Sequence, residues 1–315
     1  MTREAYRDEL VELMPADARM WCLDSDTGLF TGVDFGPAAD RYRNLGIAEH
    51  NLMGTAAGLA AGGKLPYVTT MATFATTRAL EAVKVDIAYA ELPVRIAGTH
   101  GGLAAGHLGP THHALEDLGI MRMLPGFTVV VPADARQTAA AIRQTRDAPG
   151  PVYLRLGRDA APAVPEAPFT VGVAQKLCAG TDLAILACGP YPVLAALSAA
   201  ERLAGRGIGA TVLNVHTLRP LDVAAIVAAA EPAAAVVTVE EHWRRGGLGA
   251  AVAEVLGEHV PRRLARIGMP DEFVTRVGDQ RDLLVHHGIT DDRVEEIALA
   301  LLAKGNRNDA DLSRV

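Results

Sequence analysis

Short, continuous apolar runs alternate with helical periodicity along almost the whole chain, and this alternation limits the fold more than any other feature. Strands are predicted at 20–23, 67–71, 94–98, 128–131 and 152–156, with helices at 48–61, 76–89, 115–124 and 135–145 between them. A strand that is apolar on both faces must be covered on both, so the pattern reads as a parallel sheet flanked by helices. The alternation then stops. Residues 159–170 carry Pro162, Pro165 and Pro168 without periodicity, the signature of a strap between domains. It resumes with strands at 183–187, 210–215, 235–239 and 263–267 and helices at 193–204, 223–229, 248–256 and 292–302. The expected architecture is α/β. Two doubly wound parallel-sheet domains, at 1–157 and 181–304, are joined by a proline-rich linker at 158–180 and followed by a flexible tail at 305–315.

Composition narrows the function. The 315 residues are 50% apolar and 21% charged, which excludes a disordered chain and supplies two cores. A net charge of −7 and 4% aromatic residues argue against a nucleic-acid surface and against an anionic membrane as partner. No apolar run approaches the ~20 residues that span a bilayer. Cys22, Cys178 and Cys188 form no C-x-x-C pair, which argues against a disulfide framework or a cysteine zinc site and fits a reducing cytosol. The start, Met1-Thr2-Arg3-Glu4-Ala5-Tyr6-Arg7, is charged and lacks the apolar core of a secretory signal. A cytoplasmic location is expected.

Within the first domain, Gly54, Ala57, Gly58 and Ala61 fall on one face of the predicted helix 48–61. Glycine inside a helix costs about 1 kcal/mol against alanine. Either the helix packs tightly on its own sheet, or it is buried at a subunit interface or beside a cofactor. Glu49 stands where a strand hands over to this helix. Apolar neighbours there would desolvate its carboxyl and favour the protonated form, which can donate to a ring nitrogen. A helix-N-terminal glutamate stabilised by the dipole accounts for the same residue.

The glycine-rich stretch 98–113 follows a strand and carries His100, His107, His112 and His113. Loops at strand ends are where parallel sheets place ligands. These histidines suit hydrogen bonding to a polar substrate, or acid–base work, better than a metal, because no recognised ligand spacing is present. Neither a phosphate-binding G-x-x-x-x-G-K-[ST] nor a G-x-G-x-x-G after a strand occurs. In the second domain His216, Glu240, Glu241 and His242 are polar near strand ends, and the sequence assigns them no role.

Several segments occur in a telling order: Thr2-Arg3, Leu23-Asp24-Ser25-Asp26, Gly46-Ile47-Ala48-Glu49-His50, Thr73-Phe74-Ala75-Thr76, Thr99-His100 and Gly109-Pro110-Thr111-His112. Val152-Tyr153-Leu154-Arg155-Leu156-Gly157-Arg158, Glu240-Glu241-His242 and Gly246-Gly247-Leu248-Gly249 continue it. Together they resemble the C-terminal half of the transketolase family of thiamine-diphosphate enzymes, and most of all the C-terminal subunit of enzymes divided between two polypeptides. The resemblance implies a pyrimidine-binding domain followed by the family's C-terminal domain, and transfer of a two-carbon ketol unit from a ketose to an aldehyde. The family's G-D-G…N magnesium motif is absent. Gly278-Asp279-Gln280 lacks its third element, so no metal ligand is expected on this chain. The resemblance therefore implies a partner, an N-terminal subunit carrying the diphosphate-binding domain and the Mg2+ ligands, in a heterotetramer with two copies of each chain.

The residue roles follow from the same resemblance. Glu49 would hydrogen-bond the pyrimidine ring of the cofactor and promote its imino tautomer. Phe74 would stack on that ring, Met71 would stand in a wall position that is usually aromatic, and Asp26 would lie near the thiazolium. His100 and His112 would contact the sugar and help proton transfer. Arg3 and Arg158 would grip a substrate phosphate, a task suited to the guanidinium fork. Two substrate-site positions depart from the family pattern. His107-Leu108 stand where a carboxylate commonly precedes Gly-Pro-Thr-His, and Phe30 stands where a small hydroxyl residue often follows Asp26. Neither leucine nor phenylalanine hydrogen-bonds a hydroxyl. An acceptor that is less hydroxylated or more apolar than an ordinary aldose phosphate is therefore expected. Competing readings are the β-type subunit of a 2-oxoacid dehydrogenase, a deoxyxylulose-phosphate-synthase-like carboligase, an inactive assembly subunit, and a histidine-metal hydrolase built on the glycine-rich loop.

Overall fold

The computed structural model describes the backbone of residues 1–312 and the side chains through Ala303. Helix α1 (Thr2–Leu13) is followed by β1 (Met20–Asp24), a 3-10 turn (Gly36–Arg41), β2 (Tyr42–Asn44), α2 (Glu49–Ala61) and β3 (Leu65–Met71). Next come α3 (Ala72–Thr76), α4 (Leu80–Ala82), a π-helical turn (Val83–Ala88), β4 (Arg95–Thr99), α5 (Asp117–Met123), β5 (Thr128–Val130), α6 (Ala135–Thr145) and β6 (Val152–Arg155). The second half holds β7 (Gln175–Cys178), β8 (Leu183–Cys188), α7 (Pro190–Ala204), β9 (Ala210–Asn214), β10 (Thr217–Arg219), α8 (Val223–Ala230) and β11 (Ala235–Trp243). It ends with α9 (Leu248–His259), β12 (Arg263–Met269), α10 (Gln280–His286) and α11 (Asp291–Leu312).

Two sheets form, in the orders β10-β5-β6-β4-β3-β1-β2 and β12-β11-β8-β9-β7. Pairing is parallel throughout except at β10 on β5 and β7 on β9. Strands β4, β6, β8 and β9 are buried along their whole length, as continuous apolar strands in a doubly covered sheet must be. Helix α6 is capped by Asp134, whose carboxylate accepts from the backbone N–H of Gln137, and it spans the predicted residues.

The structure departs from the sequence reading in four places. The predicted helix 76–89 is broken into α3, α4 and the π-helical turn. Thr76 and Thr77 turn their hydroxyls back onto the carbonyls of Ala72 and Thr73 at 2.9 and 2.6 Å, which competes with the regular helix. Strand β10 comes from the second half of the chain yet completes the edge of the first sheet, so the two sheets are interlocked. Strand β7 lies inside the span read as linker, at the edge of the second sheet. The strap before it is anchored: Val164 is buried in the second core, and its carbonyl accepts from Arg136. Finally, α11 runs on to Leu312 where a tail was predicted from 305, no proline being present to stop it. The last part of that tail, 313–315, lies outside the described residues.

Candidate active site

Strands β1, β3 and β4 end side by side. Asp24 pairs with Asn44 and with Thr69, and Met71 pairs with Thr99. The residues at or just past these ends, Asp26, Met71 and His100, therefore line the carboxyl edge of the sheet, where open α/β folds hold ligands. Asp26 and His100 both take left-handed backbone angles, with φ of 63° and 57°. Such a conformation costs a non-glycine residue about 1–3 kcal/mol and persists where the surroundings over-determine it. At Asp26 the Asn44 amide donates to the carboxylate at 2.9 Å.

Glu49 is the first residue of α2 and is 2% exposed. Its Oε2 accepts from Nη1 of Arg78 at 2.8 Å. The same guanidinium lies over the ring of Phe74, 4.3 Å from its centroid. Phe74 lies in α3 and Arg78 in the break that follows it, and Arg78 bridges Phe74 to Glu49. The edge of Phe74 meets the ring of His112, with centroids 5.2 Å apart and an interplanar angle of 78°. Arg78 was missed in the sequence, where an arginine one turn beyond a phenylalanine carries no signal. It interrupts the apolar surroundings expected for Glu49. It also tests the fit of the implied cofactor. A flat, nitrogen-rich group stacked on Phe74 and hydrogen-bonded to a buried carboxylate has the outline of an aminopyrimidine, so these residues suit that ring.

The histidines gather beside this pair. Burial, helped by the nearby charges of Arg3, Arg158, His107 and His112, pushes the pKa of His100 down to about 3, so its ring is neutral. Its Nδ1 lies 3.0 Å from Oγ1 of Thr99. His112 is pushed down by burial and by Arg78, and its Nδ1 lies 2.8 Å from Oγ1 of Thr111. A neutral imidazole offers one donor and one acceptor, as proton transfer to a sugar hydroxyl requires. Arg158 donates to Nε2 of His107 at 3.0 Å, and Arg3 pairs with Glu4 at 3.2 Å. Both arginines keep partly exposed side chains beside the histidines.

Leu108 is 44% exposed at the tip of the loop and Met71 is half-buried, so both border the site. Phe30 does not. It is 3% exposed, sealed among Tyr6, Phe35 and Tyr42 with ring centroids 5.6–6.4 Å away. Aromatic packing in the core, rather than substrate contact, accounts for the residue. No group of three or more His, Cys, Asp or Glu side chains among the described residues could hold a metal ion.

A second polar cluster, left without a role by sequence reasoning, lies at the end of β11. Glu240 accepts from the N–H groups of Leu248 and Gly249 at 2.7 and 2.8 Å, capping α9. Burial raises its pKa to about 7 against those two bonds. The next carboxylate, Glu241, crosses to the other domain. Its Oε1 accepts from Leu103 N–H at 2.6 Å and from the amide of Gln280 at 2.8 Å. His242 accepts at Nε2 from Gly119 N–H in α5 at 3.1 Å. Arg155 sits between the domains, paired with Asp117 at 3.1 Å and bonded to the carbonyls of Ala114 and Glu241 at 2.7 and 2.8 Å. Burial opposes its charge, but Asp117 and Glu241 outweigh burial and hold it above the usual arginine range. His216 is also buried, stacked on Phe169 at 4.2 Å, far from any reactive arrangement.

Known proteins share the two domains and their order. The transketolase pyrimidine-binding domain matches residues 1–163, and the transketolase C-terminal domain matches residues 172–294. An apulose-4-phosphate transketolase subunit from Phocaeicola vulgatus is 42% identical over 310 residues, covering 96% of this chain and 97% of the relative. The 6-deoxy-6-sulfo-D-fructose transketolase subunit SqwH from Clostridium sp. is 43% identical, covering 86% of this chain and 85% of the relative. A solved structure described as a split gene transketolase, inactive beta4 tetramer, superposes with a TM-score of 0.85 and 42% identity over 96% of this chain and 98% of that one. The transketolase of Pichia stipitis shares the fold, with a TM-score of 0.80 at 24% identity, and this chain spans 46% of it. With both domains matched in order and relatives aligned almost end to end, the chain belongs to the transketolase family and corresponds to the C-terminal subunit of its split members.

Proposed function

We propose that the chain is the C-terminal subunit of a thiamine-diphosphate-dependent ketol transferase and supplies one half of the active site. The observation that carries this reading is the buried Glu49 carboxylate facing the half-open ring of Phe74, with a flat nitrogen-bearing group bridging them. Thiamine diphosphate, when bound, supplies stabilisation of the carbanion at the transferred carbon. Glu49 would share a proton with a nitrogen of the pyrimidine ring, and Phe74 and Met71 would orient that ring. Asp26 would stand toward the thiazolium. His100 and His112, both neutral, would bind sugar hydroxyls and pass protons. Arg3, Arg158 and His107 would hold a terminal anion.

The diphosphate and its Mg2+ fall to a partner subunit in this reading, because the chain lacks the family's magnesium motif. The similar structure described as an inactive beta4 tetramer supports the need for that partner and supports a tetramer. Gly54 and Gly58 on α2 add a physical reason. A Cβ at Gly58 would meet nothing, and one at Gly54 only Asp86 at 3.9 Å. Packing on the chain's own sheet therefore leaves this glycine face open, and it suits a second backbone.

The acceptor would be atypical. Exposed Leu108 leaves no hydroxyl-reading carboxylate at the loop tip. The two similar subunits described above are named for unusual ketoses, which are donors and bear on the other half of the reaction. Cytoplasmic placement fits the three cysteines, which form no C-x-x-C pair.

Calorimetric titration of thiamine diphosphate with Mg2+ into the chain, alone and with the candidate partner, tests the half-site. Binding only with the partner is expected. Tight binding to the chain alone would move the diphosphate site onto it, and no binding in either case would favour an assembly subunit. Product analysis then separates a ketose donor from pyruvate, and an ordinary aldose phosphate from a deoxy or apolar aldehyde. Clear preference for the ordinary aldose phosphate would remove the acceptor proposal.

A further inference from the structure

We propose that Glu241, in the second domain, is a positioning residue that fixes the catalytic histidine loop of the first, so that the C-terminal domain sets substrate geometry as well as assembly. The inference rests on the ketol-transfer reading for its kinetic consequence but not for its structural one.

The loop between Gly102 and Ala114 is closed at its stem by two reciprocal backbone bonds, Gly102 N–H to Ala114 carbonyl at 3.0 Å and Ala114 N–H to Gly102 carbonyl at 2.9 Å. His100 lies two residues before that stem, His112 lies inside the loop two residues before its close, and His107 and Leu108 form its tip. No regular strand or helix stiffens it beyond a single 3-10 turn at Gly106–Leu108. The first sheet holds the stem through Gly101 N–H, which donates to the Leu156 carbonyl at 3.0 Å, and the other domain holds it from the opposite side. Glu241 accepts the Leu103 N–H at 2.6 Å, and Gln280 donates to both carboxylate oxygens, at 2.8 and 3.1 Å. Arg155 ties the Ala114 carbonyl to the Glu241 carbonyl. A second point of attachment joins Gly278 N–H to the Gly106 carbonyl at 3.1 Å.

Glycine at 102 is required by the same contact. Its φ is +65°, and a Cβ there would lie 2.5 Å from Oε1 of Glu241. The carboxylate thus presses on the loop backbone itself. Removing it would leave the Leu103 N–H and the Gln280 amide buried without an acceptor. A misplacement of about 1 Å at reacting groups lowers rates by up to about 10²-fold.

The test uses Glu241→Ala and Glu241→Gln in the complex with the partner, thiamine diphosphate and Mg2+. Glu241→Ala should lower kcat/KM at least about tenfold, shared between a raised substrate KM and a lowered kcat. Thiamine diphosphate affinity should stay within about twofold. Glu241→Gln keeps an acceptor oxygen and should recover most of the loss. Hydrogen–deuterium exchange of the full chain reads the loop directly, and residues 102–114 should exchange about tenfold faster in Glu241→Ala than in wild type. Unchanged loop exchange together with unchanged kcat and KM would overturn the proposal. So would a fall in cofactor affinity that matches the fall in turnover, since that marks general damage. If the wild-type complex shows no ketol transfer, the functional reading fails, and the exchange experiment still decides the positioning claim. If Glu241→Ala does not fold, Gln280→Ala takes its place. Faster exchange at 102–114 in that variant supports the proposal, and unchanged exchange overturns it.

Discussion

Two clusters of ionisable side chains sit at the carboxyl ends of parallel strands in this molecule, and they are built on opposite terms. The cluster on β11 is closed. Glu240, Glu241, Asp117 and Arg155 are almost wholly buried, and each carboxylate or guanidinium meets a backbone group or an opposite charge. The cluster at the ends of β1, β3 and β4 is open. Glu49 is buried, but Phe74, His107, His112 and Arg158 reach solvent, and Arg78, Glu49's partner, is itself half-exposed. The closed network is paired at most of its polar atoms, with Oδ1 of Asp117 and Nε of Arg155 the exceptions. Buried, paired groups rigidify, whereas open groups remain free to bind. The same residue types therefore hold one region still so that the other can act.

The strongest way to break this comparison is at Glu49. Glu49→Gln should lower ketol transfer in the partnered complex by about 10²–10⁴-fold while leaving assembly unchanged by analytical ultracentrifugation. Turnover near wild type would strip the open cluster of its chemical role. The closed cluster is challenged by Asp117→Ala, which strands buried Arg155 and removes the acceptor of the Tyr153 hydroxyl at 2.8 Å. Urea unfolding should show a loss of about 3–5 kcal/mol. A loss no larger than that of an exposed pair would mean the network is not structural.

Acid titration sharpens the contrast. Burial holds His216 down to about 4. Between pH 6.5 and that value the unfolded chain binds a proton that the folded chain refuses, so this histidine's contribution to stability falls as pH falls. Glu240, raised to about 7 by burial, has the opposite sign. Its folded form holds the extra proton from 4.5 to about 7, and its contribution falls as pH rises through that window. Unfolding followed across pH should show His216→Asn flattening the acid limb by about one proton. An unchanged slope would mean the ring titrates as in the open chain. The smallest effect is expected at Arg78. If its guanidinium competes with the pyrimidine for Glu49 and Phe74, Arg78→Ala should tighten thiamine diphosphate binding in the complex, by no more than about fivefold for a half-exposed pair. Weaker binding would make Arg78 a contact of the cofactor instead.

The sequence made some of this legible and hid the rest for identifiable reasons. Apolar runs such as 183–187 and 94–98 announced the central strands, because burial on both faces leaves no other composition. Glu49, Phe74, His100 and His112 stood out through order and spacing, and the fold brings them to one edge. Strands β2, β7 and β10 were hidden because they are short edge strands whose pairing depends on distant partners. The break after Thr76 was hidden because hydroxyl back-bonding does not alter apolar periodicity. Phe30 misled because its place in an aligned motif says nothing of where its ring packs. Glu241 was the most instructive omission. A carboxylate near a strand end reads as surface, and only the approach of Leu103 from the other domain gives it a partner.

Strand β10 carries a consequence for anyone who wishes to divide the molecule. Three residues from the second half cover the open edge of β5. Cutting at the strap, by a protease or by expressing either half alone, would uncover a row of unpaired backbone groups on a parallel sheet, the kind of edge that recruits other chains. Fragments made at that boundary should therefore clump rather than behave as modules. Fusion or recombination of this chain with other proteins has to treat both sheets as one inherited block.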